Sequence, residues 1–316
     1  MPARFALNWV RPLRVYYCDH HEIPLPDGHR FPMLKYRMQR ERLSGEAGID
    51  LYPAPLASLD VVELAHDAEY ARGFVEGTLP ARAMRRIGFP WSKGLVERSL
   101  ASVGGTLQCA LEVMESGVLG ALAGGLAGGT HHAFRGEGSG FCVFNDIAIA
   151  ILALSRAGLI RRAAVVDLDV HQGDGTAAIF AADPAVFTLS LHGANNFPFR
   201  KQKSSLDVEL PDGAGDEEYL ARLRESIDAV WDFTPDIVFY QCGVDALETD
   251  TLGRLALTPV GLKQRDRLVL EGARQRAIPL VLTLGGGYSD PIEASVEAHA
   301  STFIMASGIM ASGLLP

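Results

Sequence analysis

The chain has 316 residues, of which 48% are hydrophobic and 21% charged, an ordinary composition for a globular protein with a sizeable core. Its formal net charge of −9 argues against a general nucleic-acid binder, whose binding face would be basic. The four cysteines form no CxxC pair, which argues against a zinc knuckle or a thiol redox motif. We therefore expect buried free thiols in a reducing compartment.

Neither end of the sequence has the pattern of a targeting or membrane segment. Residues 1–12 lack the apolar core of a signal peptide, and the apolar stretch 303–316 is too short to span a bilayer. We expect a cytoplasmic protein that binds neither membrane nor nucleic acid. No internal repeat or linker divides the sequence, so we predict one domain over residues 1–316.

Strand and helix patterns alternate along the sequence. In chain order they predict a strand at 13–18, helices at 33–43 and 58–74, an irregular loop at 77–92, a helix at 93–116, a buried strand that ends in a glycine-rich loop within 117–130, and a helix at 144–157. Next come a strand at 163–168, a short helix at 176–182, a strand at 186–191, a helix at 217–233, a strand at 236–241, a helix at 259–276, a strand at 279–284 and a helix at 291–304. This alternation predicts an α/β fold with a central, mostly parallel sheet and helices on both faces.

Polar and ionisable side chains follow the predicted strands at their carboxyl ends. In chain order these are Asp19, His20, His21, His131, His132, Asp169, His171, His192, Asp245 and Tyr288. Parallel sheets bind their ligands at this edge, so the sequence predicts a functional site there.

The stretch after the strand at 163–168 has the donor pattern of a metal site. Asp167, Asp169 and His171 are two residues apart and would share one side of an extended strand. Buried carboxylates there need a cation or close hydrogen-bond partners. Asp169, His171 and Asp245 are the candidate ligands, and three protein ligands leave a position open, as in catalytic zinc sites. Taken alone, Asp245 would more often be a turn or cap residue. The presence of Asp169 and His171 as further candidate ligands favours the ligand role for Asp245.

Two adjacent histidines are candidates for acid–base chemistry. Water activated by a metal needs a base, and the leaving amine needs an acid. His131 and His132 can supply these functions if buried carboxylates orient them, and Asp167 and Asp174 are the natural partners.

Tyr288 follows three glycines and could donate to a developing oxyanion, although out of context such a tyrosine would simply pack. Phe141 and Phe197 lie in turn-bearing loops and could wall a narrow apolar channel. As isolated aromatic residues, both would more often belong to the core.

With these residues in place, the chain resembles the zinc-dependent histone deacetylases of the arginase/deacetylase superfamily, over nearly its whole length. The resemblance follows the family's motif order through His131-His132, Gly140-Phe141-Cys142, residues 166–175, Ser190-Leu191-His192, Gly243-Val244-Asp245 and residues 285–288. Residues 28–33 and 258–266 are most similar to class IV members and their bacterial relatives. The resemblance implies a single-domain, three-layer arginase/deacetylase-type fold.

The resemblance also implies roles for individual residues. Asp169, His171 and Asp245 would bind one zinc ion, and His132, paired with Asp174, would be general base and acid. His131, paired with Asp167, would be its electrostatic partner, and Tyr288 would polarise the scissile carbonyl. Gly140, Phe141, Phe197, Gly286 and Gly287 would bind the substrate. A structural potassium ion would be held by Asp167, Asp169 and Ser190 side chains and by the carbonyls of His171 and Leu191.

The function we expect is removal of an acyl group from N-acyl-lysine in a protein or peptide. The alternatives are a deacetylase of acetylpolyamines or other small amides, a long-chain lysine deacylase, and a non-catalytic acyl-lysine-binding module; an arginase-type dinuclear manganese site would need more ligands. Gln172 replaces the second histidine of class I enzymes, as in class IV. Residues 76–91 offer only Glu76 as an acid, so the clamp aspartate of class I is missing. Oligomeric state stays open.

Overall fold

The computed structural model describes residues 11–312, and the eight strands in this range form one parallel sheet. The strand order is β2-β1-β3-β8-β7-β4-β5-β6. In chain order the strands are β1 (Leu13–Tyr17), β2 (Ile49–Pro53), β3 (Leu122–Gly125), β4 (Ala163–Asp167), β5 (Val186–Gly193), β6 (Leu206–Leu210), β7 (Ile237–Gln241) and β8 (Leu280–Thr283). The predicted α/β fold is confirmed, and every strand pair in the described range is parallel.

Ten helices connect these strands within the described residues. They are α1 (Leu34–Leu43), α2 (Leu59–Val62), α3 (Ala68–Glu76), α4 (Ala81–Ile87), α5 (Lys93–Glu115), α6 (Asp146–Arg156), α7 (Asp174–Ile179), α8 (Asp216–Asp232), α9 (Pro259–Gln275) and α10 (Glu293–Ala311). None of them is both long and apolar enough to cross a membrane. The predictions for residues 1–10 and 313–316 concern parts of the chain outside the described residues.

The strand β4 shows why the sheet needs helices on both faces. Ala163 and Val165 pack into the core beneath α5 and α6, whereas Ala164 and Val166 pack into the core beneath α8, α9 and α10. All four residues are at most 1% exposed. Both faces of a central parallel strand are therefore apolar, which explains the uninterrupted hydrophobic run that predicted it.

Local capping sets where the long helices begin. Ser92 accepts a hydrogen bond from the backbone N–H of Leu95 at 3.1 Å at the start of α5, and Thr258 accepts from Gly261 at 3.1 Å at the start of α9. Pro259 occupies the first turn of α9, where its missing N–H is not needed. These caps match the predicted helix starts at residues 93 and 259.

The structure differs from the predicted elements in four places. The helix predicted over 58–74 is two helices, because the chain turns between α2 and α3 and His66 Nε2 accepts from Asn145 N at 2.8 Å. The loop predicted over 77–92 contains α4, which lies between Gly77 and Gly88, both with positive φ. Strands β2 and β6 were not predicted; they are the two edges of the sheet and their residues are partly exposed, so the hydrophobic signal is weak.

Candidate active site

The site lies at the carboxyl edge of the sheet, beyond its central strands. β4 is hydrogen-bonded to β7 on one side and β5 on the other, with Asp167 opposite Gln241 and Ser190. The loop after β4 therefore lies beside the loop after β7, which carries Asp245. The glycine-rich loop after β8 lies on the far side of β7. Strand order thus brings together residues that are distant in sequence, such as Asp169 and Gly286, which are 117 positions apart.

Asp169, His171 and Asp245 form a tight cluster whose candidate ligand atoms all lie within 4.8 Å of one another. His171 Nδ1 is 3.0 Å from Asp169 Oδ1 and 3.1 Å from Asp245 Oδ2. Backbone donors hold the outer carboxylate oxygens: Gly286 N donates to Asp169 Oδ2 at 2.8 Å, and Val170 N donates to Asp245 Oδ1 at 2.8 Å. The other carboxylate oxygens, Asp169 Oδ1 and Asp245 Oδ2, face His171 Nδ1.

The chemistry of this cluster fits a bound cation. Burial and the neighbouring Asp169 raise the pKa of Asp245 to about 7, because two buried carboxylates repel each other. Burial would lower the pKa of His171, but hydrogen bonds to Asp169 and Asp245 outweigh burial and raise it to about 10. Both pKa shifts favour the protonated form, so the cluster stabilises added positive charge. A divalent metal held by two oxygens and one nitrogen would supply that charge.

Each adjacent histidine contacts one carboxylate. The Nδ1–H of His131 donates to Asp167 Oδ2 at 2.7 Å, and the Nδ1–H of His132 donates to Asp174 Oδ1 at 2.6 Å. All four side chains are buried. With Nδ1 engaged, the Nε2 atom of His132 is left for chemistry in the cavity that this residue lines.

The two histidines have opposite electrostatic environments. Burial would lower the pKa of His131, but the charges of Asp167 and Asp169 outweigh it and raise the pKa to about 9. Burial and the proximity of His131 lower the pKa of His132 to about 4, despite the opposing effect of Asp174. His131 is therefore the cationic member of the pair, and His132 is neutral and able to accept a proton.

Tyr288 lines the same cavity, and the segment after β7 fixes its backbone. Asp250 Oδ2 accepts from Tyr288 N at 2.6 Å, and Thr251 Oγ1 donates to Tyr288 O at 2.8 Å. Burial raises the pKa of Tyr288 well above its usual value, so the hydroxyl keeps its proton and remains a hydrogen-bond donor.

A cavity of about 990 Å³ contains the cluster, both histidines and Tyr288. Phe141 and Phe197 line it, and the ring centroid of Phe197 is 4.9 Å from that of His132. Gly140 and Gly286 also line the cavity, but Gly287 does not. The carbonyl of Gly287 accepts from Lys35 Nζ at 3.1 Å, and the substrate-binding role of this residue remains a prediction.

The residues predicted to hold potassium are adjacent in the sheet. Asp167 on β4 pairs in register with Ser190 on β5, and Leu191 follows on the same strand. Asp167 Oδ1 accepts from Asp169 N at 3.2 Å, and Ser190 Oγ is 2.9 Å from His192 Nδ1. The potassium site remains a prediction.

One step of the sequence reasoning was wrong. β4 ends at Asp167, so Asp167, Asp169 and His171 do not lie on one extended strand. Asp167 contacts His131, whereas Asp169 and His171 turn toward Asp245. The loop conformation separates neighbours that strand geometry would have kept on one side.

Sequence reasoning missed two residues beside Tyr288. Lys35 is 1% exposed, and its ammonium lies 5.4 Å from the centroid of the Tyr288 ring. Asp250 is the carboxylate that accepts from the Tyr288 backbone. A lysine inside the predicted helix at 33–43, and an aspartate five residues after Asp245, carried no signal strong enough to identify them.

A parallel α/β sheet with a buried Asp–His–Asp cluster that could hold a metal ion, and with two His–Asp pairs at its carboxyl edge, is typical of metal-dependent hydrolases. The histone deacetylase domain family matches residues 26–303, so the chain belongs to the histone deacetylase family. Membership of this family supports a hydrolytic deacetylase.

Similar proteins occur in bacteria. An uncharacterized protein of Picosynechococcus sp. is 45% identical over 90% of this chain and 95% of its own length. The acetoin utilization protein AcuC of Bacillus subtilis is 31% identical over 93% of this chain and 80% of its own length. The chain spans less than half the length of the plant and Dictyostelium histone deacetylases it also matches, at 48%, 41% and 46%. The crystal structure of the HDA15 HD domain has the same fold, with a TM-score of 0.76, 22% identity, and coverage of 93% of this chain and 90% of that chain.

Proposed function

We propose that this chain is a zinc-dependent deacylase that hydrolyses N-acyl-lysine in a protein or peptide. The observation that supports this most directly is the position of His132 and Tyr288 in one cavity with the Asp169–His171–Asp245 cluster. These three residues are the proposed zinc ligands. A non-catalytic acyl-lysine-binding module would be expected to lose a ligand, the base or the tyrosine, and none is lost here.

Zinc held by these residues would polarise the substrate carbonyl and lower the pKa of the attacking water. His132 Nε2 accepts a proton from that water as its oxygen bonds to the carbonyl carbon. Asp174 holds His132 in the required tautomer through Nδ1. The Tyr288 hydroxyl donates to the carbonyl oxygen as negative charge develops on it. His131, made cationic by Asp167, stabilises that charge from the second His–Asp pair.

The carbon–nitrogen bond then breaks, and His132 returns its proton to the departing amine. The products are a carboxylic acid and a free lysine side chain, so atoms and charge balance. Phe141 and Phe197 wall the approach to the site and would enclose the apolar lysine stem. The side chains of Asp167, Asp169 and Ser190, with the backbone carbonyls of His171 and Leu191, form the proposed potassium site.

The inward reach of the cavity leaves room for acyl groups longer than acetyl. At about 990 Å³ it reaches the upper end of ordinary ligand sites and extends to Tyr36, Leu95 and Ser99, which lie on or near α1 and α5. The volume includes the outer part of the cavity, so it is the reach to these residues that leaves room for a longer acyl chain. A long-chain lysine deacylase is therefore the second candidate.

The test is a substrate panel with metal-free protein that has been reloaded with zinc. We expect zinc-dependent turnover of a fluorogenic acyl-lysine peptide, with rates on acetyl-lysine, myristoyl-lysine and acetylspermidine compared side by side. Tyr288→Phe should reduce kcat by about 10²-fold or more while zinc content is unchanged, because an oxyanion donor is lost. A zinc-replete wild-type protein that is inert on every member of the panel would refute the proposal.

A further inference from the structure

Four arginines from four separate segments line the outer part of the cavity. Arg30 precedes α1, Arg86 is in the last turn of α4, Arg200 lies between β5 and β6, and Arg254 precedes α9. All four are exposed. This arrangement is unexpected in a chain whose net charge is −9. We call these four residues the arginine rim.

Two members of the arginine rim are paired with carboxylates, and the other two, Arg30 and Arg200, are not paired within the described part of the chain. Arg86 pairs with Glu137, and Arg254 Nη1 is 3.1 Å from Asp212 Oδ2. Arg30 and Arg200 form no ion pair with any residue between positions 11 and 312.

The lining offers few negative charges in return. Glu137 is the one carboxylate among the described lining residues that is not buried, and it already contacts Arg86. The other three, Asp169, Asp174 and Asp245, are buried and hydrogen-bonded to histidines. The entrance to the cavity is therefore net positive.

An apolar contact surface lies beside the free charge of Arg200. Phe199 is 86% exposed, and its ring packs edge-on against Phe197 with a centroid distance of 6.3 Å. Because Phe197 walls the cavity, Phe199 extends that wall outward to the rim. A substrate that reaches the site would lie against an aromatic ring and an arginine together.

We propose that the arginine rim selects acyl-amines that carry carboxylates next to the acylated amine, with Arg30 and Arg200 as the specificity-determining residues. Guanidinium groups bind carboxylates through paired, charge-assisted hydrogen bonds and repel cations. The rim thus favours acidic sequences and disfavours polyamines and basic tails. This inference rests on the proposed deacylase function and names the substrate class of the same site.

The test compares acyl-lysine peptides that are identical except for acidic, neutral or basic residues on either side of the acyl-lysine. At low salt we expect kcat/KM for the acidic peptide to exceed that for the basic peptide by about tenfold, mainly through KM, because the arginines do not touch the scissile amide. The ratio should fall as salt screens the exposed charges. Free Nε-acetyl-lysine compared with its α-amide shows whether a small-molecule carboxylate suffices.

Variants assign the preference to residues. Arg200→Gln and Arg30→Gln should each lower the acidic-to-basic ratio by about two- to fivefold, the range expected of exposed ion pairs. Arg267→Gln is the matched control, since it removes the same charge from an exposed position on α9 and should leave the ratio unchanged. Equal rates on all peptides, a preference for basic ones, or a ratio insensitive to both rim variants would refute the proposal.

Binding keeps this result separate from the deacylase proposal. Fluorescence anisotropy with labelled peptides on the Tyr288→Phe protein gives the same acidic-to-basic comparison while turnover is slowed by about 10²-fold. If wild-type enzyme is inert on every peptide, the proposed reaction fails. The order of the peptide affinities then still supports or contradicts the rim.

Discussion

Replacing Gly286 by alanine tests the proposed metal site without touching a ligand. The backbone N–H of Gly286 donates to Asp169 Oδ2 at 2.8 Å, so the chain passes directly beside the cluster. A Cβ at this position would lie 2.8 Å from the same oxygen and would overlap Asp245 Oδ2 more severely. The φ angle of Gly286 lies outside the left-handed region, so space is the only obstacle to a side chain.

The required displacement can be worked out from these contacts. Ordinary van der Waals contact begins at 3.4 Å, so the Asp169 carboxylate must retreat by about 0.6 Å and that of Asp245 by more. Metal–ligand distances tolerate shifts of only ~0.2 Å, so both ligands would lose their geometry. We expect Gly286→Ala to weaken zinc binding at least ~100-fold, the upper range for changes around a ligand. The overpacking itself should cost about 1–3 kcal/mol of unfolding free energy.

The assay is competition between the metal-free protein and a chromophoric chelator for zinc, with thermal unfolding of the same samples. Gly308→Ala is the matched control, because a Cβ there meets nothing within 4 Å and the position is inside α10. This control should bind zinc as the wild type does and be more stable by about 0.5–1 kcal/mol. A folded Gly286→Ala protein with wild-type zinc affinity would show that Asp169 and Asp245 are not the ligands.

Three further predictions concern four single substitutions. Asp169→Asn should abolish tight zinc binding, because Asp169 is a proposed ligand. Asp167→Asn should retain zinc but lose activity, because Asp167 contacts His131 and is not a proposed zinc ligand. Equal loss of zinc in both variants, measured by the chelator assay, would contradict these separate roles. Asp250→Ala should lower kcat far more than it raises KM, because the Tyr288 backbone loses its acceptor, and an unaltered kcat would exclude this positioning role. Burial lowers the pKa of His66 to about 4 in the folded protein. Between pH 6.5 and 4 the unfolded state therefore binds more protons than the folded state. The free energy of unfolding should fall by up to ~3 kcal/mol as the pH is lowered over this range. Denaturant titrations of wild type and His66→Gln should show a shallower pH dependence in the variant.

The sequence predicted the central part of the fold better than its edges, for a physical reason. Central strands such as β4 are buried on both faces and read as continuous apolar runs. The edge strands β2 and β6 are partly exposed on one side and have a mixed composition. They are strands because they pair with a neighbouring strand, and no local sequence pattern indicates that pairing. Helix starts with a serine or threonine cap, such as Ser92 and Thr258, could be identified.

Candidate site residues could be identified where polar side chains interrupt an apolar run. Asp169 and His171 closely follow a buried strand, so the sequence itself shows polar groups whose burial would be unfavourable without a partner. Lys35 and Asp250 act on Tyr288 from 253 and 38 positions away in sequence, and their contacts arise only when α1 and the segment after β7 pack against the β8 loop. Residues that act through tertiary packing leave no local pattern.

The end of β4, the loop after it and the start of α7 direct their side chains to His131, His132 and the metal cluster, and two glycines in this segment explain how. Asp167 contacts His131, and Asp174 contacts His132 seven residues later, so this loop must lie flat against the His131–His132 segment. A Cβ at Gly173 would come within 3.3 Å of His131 Nδ1 and would collide with the Asp167 carboxylate. A Cβ at Gly175 would meet the backbone carbonyls of residues 131 and 133. The glycines are therefore required by the close approach that forms both His–Asp pairs, while the residues between Asp167 and Gly173 are left to turn toward the metal cluster.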